Sequence, residues 1–365
     1  MAHPGPAPRA MLVLALAGVG DVLMTTPLLK ELRAAFPAAV IDVLVMQGEP
    51  ARDVLSGNPN VNNVVLHNFM REPFWRSLRF CLELRRRRYD CSITAFPLNR
   101  LAYNLITFLV GARTRIGFDY AIPCGALGRW LLTDRLAERT DIHVVENNLR
   151  ILPEVFERPL RETTHRLGLA LSADNHRFAD EFMARLGLDN GPAIGLHPGS
   201  GTTKNLALRR WAPEKWAQLA QGLATQYPTA TLFMFGAAAE KDLRTEIQAL
   251  SGLDGKRLVS VDAGGLRDAA ALIGRMRCFV CCDTLLTHIA AASGVPTIEI
   301  LGPTPPQSIY PYGVPYRIVR TGISCSPCYG YSRFGIRCTN PVFLQCLKDL
   351  TPDMVLAAAV DIMAV

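Results

Sequence analysis

An α/β fold made of two Rossmann-like halves, with parallel sheets facing a central cleft, follows from three observations on the sequence. Short β-branched or leucine-rich runs alternate with stretches of helical periodicity. The alternation loosens near the middle of the chain and then restarts. The glycines, aspartates and threonines that interrupt the apolar runs fall where strands are expected to end. Strand–helix alternation builds a parallel sheet covered on both faces, and in such sheets ligands bind outside the carboxyl ends of the strands.

The elements follow in order. "MLVLALA" (11–17) reads as a buried strand. A helix over 22–35 has Leu23, Pro27, Leu28 and Leu32 on its apolar side. "IDVLVM" (41–46) and "VNNVVLH" (61–67) are strands, then comes an arginine-rich helix, a strand "YDCSITAF" (89–96) and a helix over 101–112. From about 120 to 185 the pattern loosens; "TDIHVVENNLRIL" reads as helix, and Pro159 and Gly168 mark irregular chain that suits a linker. The second half gives a strand at 191–199, a helix at 212–227 opened by Pro213, and a strand at 231–237. A helix from Glu240, a strand at 257–263, a helix near 266–276, a strand at 278–283, a helix at 284–294 closed by Gly294 and a strand at 296–303 complete it. The expected division is a disordered tail 1–9, an N-terminal domain 10–175 with its linker, a C-terminal domain 176–350, and a final helix in 351–365 that packs back on the first domain.

With 365 residues, 49% of them hydrophobic, the chain has enough core for two domains. Its net charge of +7 favours anionic partners. "WRSLRFCLELRRRRYD" (75–90) holds six arginines in sixteen residues; it reads either as a solvated helix face or as a contact with an acidic membrane surface. No RNA-binding or zinc-finger spacing accompanies it, so nucleic acid is not an expected partner. No apolar run reaches the ~18 residues of a membrane span. "MLVLALAGVG" imitates a signal peptide only faintly, because it is short and runs straight into Asp21. A cytoplasmic protein is expected, with its ten cysteines reduced.

Four loops carry candidate chemistry. "AGVGD" places Gly18, Gly20 and Asp21 at the start of a helix. Aspartate there is a helix cap or a functional carboxylate; the dinucleotide fingerprint lacks its third glycine. "HPGSGTTK" (197–204) is not a P-loop, since Asn205 follows the lysine, yet Gly199, Ser200, Gly201 and Thr202 offer donors and Lys204 a cation to a phosphate. "FGAAAEKD" sets Gly236 and Glu240 near a helix start, where Glu240 would accept from ribose hydroxyls or favour the helix dipole. In "CDTLLTHIAAASGVPTIEILGPT", Asp283 and Thr284 would cap a helix whose free N–H groups suit a diphosphate, with His288 one turn on, on the same face.

In this order, "GVGDVLMTTPLLKELRAAFP", "LHPGSGTTKNLALRRWAPEKWAQLA" and "CCDTLLTHIAAASGVPTIEILGPTPP" resemble glycosyltransferase family 9, the ADP-heptose:lipopolysaccharide heptosyltransferases and their relatives, over most of the chain. The resemblance implies GT-B architecture, an acceptor-binding N-terminal domain and a nucleotide-sugar-binding C-terminal domain. It implies inversion at the anomeric carbon with no cofactor or metal in the chemistry, on a lipid-linked or glycan acceptor at the inner face of the membrane. Asp21 matches the family's general base, Asp283 and His288 its donor motif, and Glu240 a ribose-binding position. Lys204, Thr284 and the helix N-terminus would stabilise the leaving diphosphate. One departure stands out: relatives usually carry glycine after the Asp-Thr pair, and here Leu285 is expected to narrow or reshape the donor site. A non-catalytic nucleotide-sugar-binding protein of the same fold is the competing reading, and a nicotinamide-dependent enzyme is disfavoured by the missing glycine pattern. Near the C-terminus, "CSPCYGYSRFGIRCTNPVFLQC" brings Cys325, Cys328, Cys338 and Cys346, which permit a structural four-thiolate zinc site or pack as free thiols.

Overall fold

Strand β1 (Ala10–Ala15) is apolar throughout and buried from its second residue on, so it needs cover on both faces. A computed structural model of the chain describes residues 7–46, 48–120, 128–187, 191–201, 203–329 and 335–364, with the backbone alone at 203 and 204. The chain forms two compact units, Met1–Ala170 and Leu171–Val365. In the first, β1 is joined by β2 (Val40–Val45), β3 (Asn63–Leu66), β4 (Cys91–Thr94), β5 (Thr114–Asp119) and β6 (Asp134–Ala137) in the order β3-β2-β1-β4-β5-β6. All neighbours are parallel, with Val13 facing Val43 on one side and Ile93 on the other.

The second unit repeats the plan. Its strands β7 (Ala193–His197), β8 (Thr231–Met234), β9 (Leu258–Ser260), β10 (Cys278–Cys282), β11 (Thr297–Ile300) and β12 (Tyr316–Val319) are ordered β12-β11-β10-β7-β8-β9, again all parallel. Counted from its own first strand, each sheet runs 3-2-1-4-5-6, the dinucleotide-fold order. The crevice of such a sheet opens where strand order reverses, between β1 and β4 in one unit and between β7 and β10 in the other. The residues leaving these four strands are therefore the ones positioned for chemistry.

Several expectations change. The helix expected over 22–35 is two, Val19–Met24 and Thr26–Ala35, broken at Thr25 because Pro27 cannot donate to the preceding turn. The hydroxyls of Thr25 and Thr26 bond back to the carbonyls of Asp21 and Leu23 at this break. Residues 1–6 of the expected tail lie outside the described residues, but Arg9 is held: its amide donates to Asp90 Oδ2 at 2.8 Å. The boundary expected at 175/176 would cut a helix, Ala173–Arg185, which is capped by Ser172 and tied to the second unit through Asn175–Asp268 and Arg275–Asp180. The final helix, Pro352–Met363, belongs to the core of the second unit. It lies against helix Pro213–Gln226 and β10–β12, and Val355, Ala359 and Ile362 join the core around Trp211 and Trp216.

The irregular stretch before the boundary is anchored rather than loose. Buried Glu31 accepts the backbone N–H groups of Arg161 and Glu162 and pairs with His165 Nε2 at 3.0 Å, all within the first unit. Burial works to raise this carboxyl, but those bonds outweigh it and hold Glu31 below the usual carboxylate range.

Candidate functional site

In the first unit Gly18, not Asp21, is the N-cap of helix Val19–Met24, and Asp21 is its third residue. Asp21 Oδ2 accepts the Gly18 N–H at 2.8 Å, closing the first turn through Gly20. A Cβ on residue 18 would stand 3.1 Å from that oxygen, so glycine gives the carboxylate room. The Asp21 charge also reaches Tyr103 and Tyr120, the latter at the end of β5. Both phenols are pushed up, chiefly by burial, with Asp21 adding in the same direction. The aspartate is thus held by its own backbone at the carboxyl end of β1, beside two buried tyrosines.

The second unit builds a denser site where β7 and β10 end. His197, the last residue of β7, joins the two strands: its Nδ1 is 3.1 Å from Thr284 Oγ1, and its Nε2 is 3.4 Å from Glu240 Oε2. Glu240 Oε2 also takes the Ala237 N–H at 2.8 Å, and Oε1 lies 3.5 Å from Arg210. Burial works to raise the Glu240 carboxyl, but His197, the Ala237 amide and the Arg210 charge outweigh it and hold the group ionised below the usual range. An ionised Glu240 can only accept, so His197 Nε2 carries a proton toward it, and Nδ1 stands within hydrogen-bond reach of the Thr284 hydroxyl.

This geometry revises the reading of the glycines and of Ser200. A Cβ at Gly199 would fall 1.9 Å from Glu240 Oε1, and one at Gly236 would fall 2.6 Å from Arg244 Nη1. Both glycines admit the buried carboxylate and its neighbours. The Ser200 hydroxyl, expected to face a phosphate, donates to Leu206 O at 3.0 Å and accepts from Arg210 Nε at 3.2 Å. It shapes the loop and aims Arg210. Thr202 lies outside the described residues, as does the side chain of Lys204; the backbone of residue 204 belongs to the 3₁₀ segment Thr203–Arg209.

At the end of β10, Asp283 pairs with Arg209 at 2.7 Å and accepts from Thr304 Oγ1 at 2.8 Å. The Arg209 guanidinium lies over the Tyr329 ring, 4.7 Å from its centroid. Thr284 caps helix Leu285–Ala292, its backbone N–H bonded to Thr287 Oγ1. Half-buried Leu285 is the first residue of that helix. His288 is 4% exposed; its Nδ1 is buried without a partner, as is Arg209 Nε. Burial lowers the His288 imidazole to about 4, with the Asp283 charge opposing and Arg209 reinforcing, so it is neutral. On β11, under the same helix, Glu299 is fully buried and neither carboxylate oxygen has a partner. Sequence reasoning missed His197, Arg209, Arg210, Thr304 and Glu299. His197 ends β7 and Thr304 follows β11 by a few residues, which is a signal; Glu299 lies within β11 and Arg209 and Arg210 stand well past β7, so no local pattern marked them.

Among the described residues, one cluster gathers side chains that could hold a cation. Glu31, Glu162 and His165 bring ligand atoms within 4.8 Å of one another, but both Glu31 oxygens already take protein donors. The thiols of Cys325, Cys328, Cys338 and Cys346 line one cavity.

The model of Glycosyltransferase family 9 (heptosyltransferase) matches residues 77–334 of this chain. The chain belongs to glycosyltransferase family 9. It is 27% identical to Lipopolysaccharide heptosyltransferase 1 of Pseudomonas aeruginosa, across 87% of this chain and 85% of that one. It is 28% identical to Lipooligosaccharide heptosyltransferase 2 of Haemophilus influenzae, across 97% and 99%. The structure of the Escherichia coli ADP-heptose LPS heptosyltransferase II superposes with a TM-score of 0.73 at 23% identity, across 97% of this chain and 98% of that one. The likeness supports a GT-B-like fold for this family 9 glycosyltransferase. No helix among its described residues is long and apolar enough to cross a membrane.

Proposed function

We propose that this family 9 protein transfers heptose, with inversion, from ADP-heptose to a hydroxyl of a lipopolysaccharide core or a related glycan. The observation that carries the reading is the joining of the β7 and β10 ends through His197 and Thr284, beside the buried Arg209–Asp283 pair. This is where a parallel sheet of this order binds nucleotides. Thr284, the N–H groups opening helix Leu285–Ala292, Arg209 and Lys204 stabilise charge as the diphosphate leaves. Glu240 orients His197 rather than facing the ribose. Asp21, set at the end of β1, takes the proton of the acceptor hydroxyl as that oxygen attacks the anomeric carbon. No metal acts at the reacting atoms. An anionic bilayer presents the lipid-linked acceptor, in keeping with the family names and the chain's positive charge.

Asp21→Asn keeps the side chain's shape and removes its basicity. It is expected to lower turnover by about a hundred- to ten-thousand-fold while leaving the thermal shift produced by ADP-heptose unchanged. Near-normal turnover in the variant would sink the base assignment. Leu285, at the first turn of the donor-site helix, is the feature that favours the second reading, a nucleotide-sugar-binding protein without transfer. Binding of a nucleotide sugar by the native chain, with no transfer or hydrolysis across a panel of donors and acceptors, would decide for it.

A further inference from the structure

A carboxylate, an imidazole and a hydroxyl stand in a row at the ends of β7 and β10: Glu240, His197 and Thr284. Glu240 and His197 are buried, whereas Thr284 is only half-buried. The row therefore runs from the interior of the second unit out to the opening turn of helix Leu285–Ala292. Its buried end is fixed by more than the ring. Glu240 Oε2 also takes the Ala237 amide, Oε1 pairs with Arg210, and Gly199 and Gly236 leave the space that a Cβ would fill. A carboxylate held in this way accepts the Nε2–H of His197 and favours the imidazolium. On the flanking elements, Asp283 is paired with Arg209 and Arg244 with Asp262. Cys281, the register partner of His197 on β10, is buried and keeps its proton, because burial pushes its thiol up. Among the described residues, the charge bonded to the ring is that of Glu240. An imidazolium donates from both nitrogens, so its Nδ1–H meets Thr284 Oγ1, 3.1 Å away. The hydroxyl accepts that bond and keeps its own proton to give outward.

We propose that His197, held protonated by Glu240, delivers a proton through the Thr284 hydroxyl to the diphosphate as it leaves. This role rests on the transfer reading given above, in which Thr284 only stabilises charge. As the bond from the anomeric carbon to the β-phosphate oxygen breaks, its electron pair stays on that oxygen. The acceptor oxygen bonds the carbon and yields its proton to Asp21. The Thr284 proton passes to an oxygen of the β-phosphate, and the Nδ1 proton of His197 replaces it on Thr284 Oγ1. His197 ends neutral, its Nε2–H still on Glu240, and regains a proton from solvent once ADP departs. A diphosphate that is protonated as it leaves is less basic, and so a better leaving group. Thr284 is the group that meets the donor, and His197 is a positioning residue that acts through it.

The test is the pH dependence of transfer by the full chain. Asp21 acts ionised and His197 acts protonated, so the wild-type kcat should rise with pH and then fall. His197→Asn keeps a neutral N–H donor toward Thr284 but has no proton to release. It should lower kcat about a hundredfold near neutral pH and lose the alkaline fall, so that its deficit shrinks by about tenfold per pH unit there. An equal loss at every pH, with the alkaline fall intact, would mark a structural role and overturn the relay. Thr284→Ser should keep the alkaline fall and Thr284→Val should lose it. His197→Asn combined with Thr284→Val should cost no more than Thr284→Val alone, because the two residues act in one chain; additive losses also overturn the relay. A second measurement does not depend on how a variant folds. Nitrogen NMR of the histidine-labelled wild type with ADP bound should show the His197 ring protonated on both nitrogens at about pH 7. A neutral ring in an enzyme that transfers sugar overturns the relay alone. A wild-type chain that binds ADP but transfers nothing overturns the transfer reading, and the relay falls with it.

Discussion

Glu299 and His288 are titratable groups buried in the second unit, and they make stability depend on pH in opposite directions. Burial holds the Glu299 carboxyl protonated well above its ordinary 4.5, with the Asp283 charge adding to the effect and Arg209 opposing it. Above about pH 4.5 the unfolded chain therefore binds fewer protons than the folded one, and stability falls as pH rises. For His288, burial lowers the imidazole from 6.5 to about 4. Between those values the unfolded chain takes up a proton that the folded chain excludes, so stability falls as pH drops through that window. Glu299→Gln removes the first dependence and keeps the shape. It should raise the melting temperature near pH 8 by several degrees and change it little near pH 4.5. An equal shift at the two pH values would show that Glu299 is not held neutral. At this scale the sequence is least informative. His197 and Glu240 meet across 43 residues of chain, and Gly199 and Gly236 leave room for that carboxylate.

At the scale of elements, two helices of the first unit present an uncovered apolar face. Helix Leu101–Val110 buries Tyr103, Ile106 and Val110 in the core under β1 and β4. Leu101, Leu105 and Phe108 form its other stripe and stand exposed, as do Phe74 and Trp75 on the adjoining helix Phe74–Arg85, and Trp130. Arg76 lies over the Trp75 ring and Arg115 over Phe108. Aromatic and aliphatic tips mixed with arginine suit the interface of an anionic bilayer. The arginine run itself is a poorer candidate, because Arg87 is tied to buried Asp42 and to Tyr89, and Arg76 and Arg79 pair with glutamates on the surface. Leu105→Ser with Phe108→Ser should weaken partition onto vesicles containing anionic phospholipid at least about tenfold without lowering the melting temperature. Wild-type co-sedimentation in that double variant would remove the bilayer from the proposal. Short apolar runs located β1, β2, β4, β7, β10 and β11, because central parallel strands are buried on both faces. The strands β5, β6 and β12 escaped notice: "TRIGFD", "DRLA" and "YRIV" mix charge with apolar residues, as two of them can at a sheet edge. Helix Ala173–Arg185 escaped for a related reason, since Ala179 is its one fully buried position.

For the whole molecule, the duplicated strand order means that each unit closes its own sheet and core. Nothing in the second unit's plan borrows a strand from the first. Its sheet holds six consecutive strands, β7 to β12. Helix Ala173–Arg185 covers helix Leu266–Ile273, and the final helix fills the far side against Trp216 and β12. That final helix completes the second unit's own core, so cutting the chain at residue 170 leaves that core whole. Residues 171–365 expressed alone should therefore melt cooperatively, as domains of this size commonly do. Because His197, Thr284, Glu240 and Arg209 all lie in this unit, the fragment should also keep its ADP-induced thermal shift while transferring nothing, since Asp21 is absent from it. A fragment without a cooperative transition would show that the second unit depends on the first to fold. A folded fragment that ignores ADP while the full chain responds would show that nucleotide binding needs residues before 171, and the assignment of the donor site to the ends of β7 and β10 alone would fail.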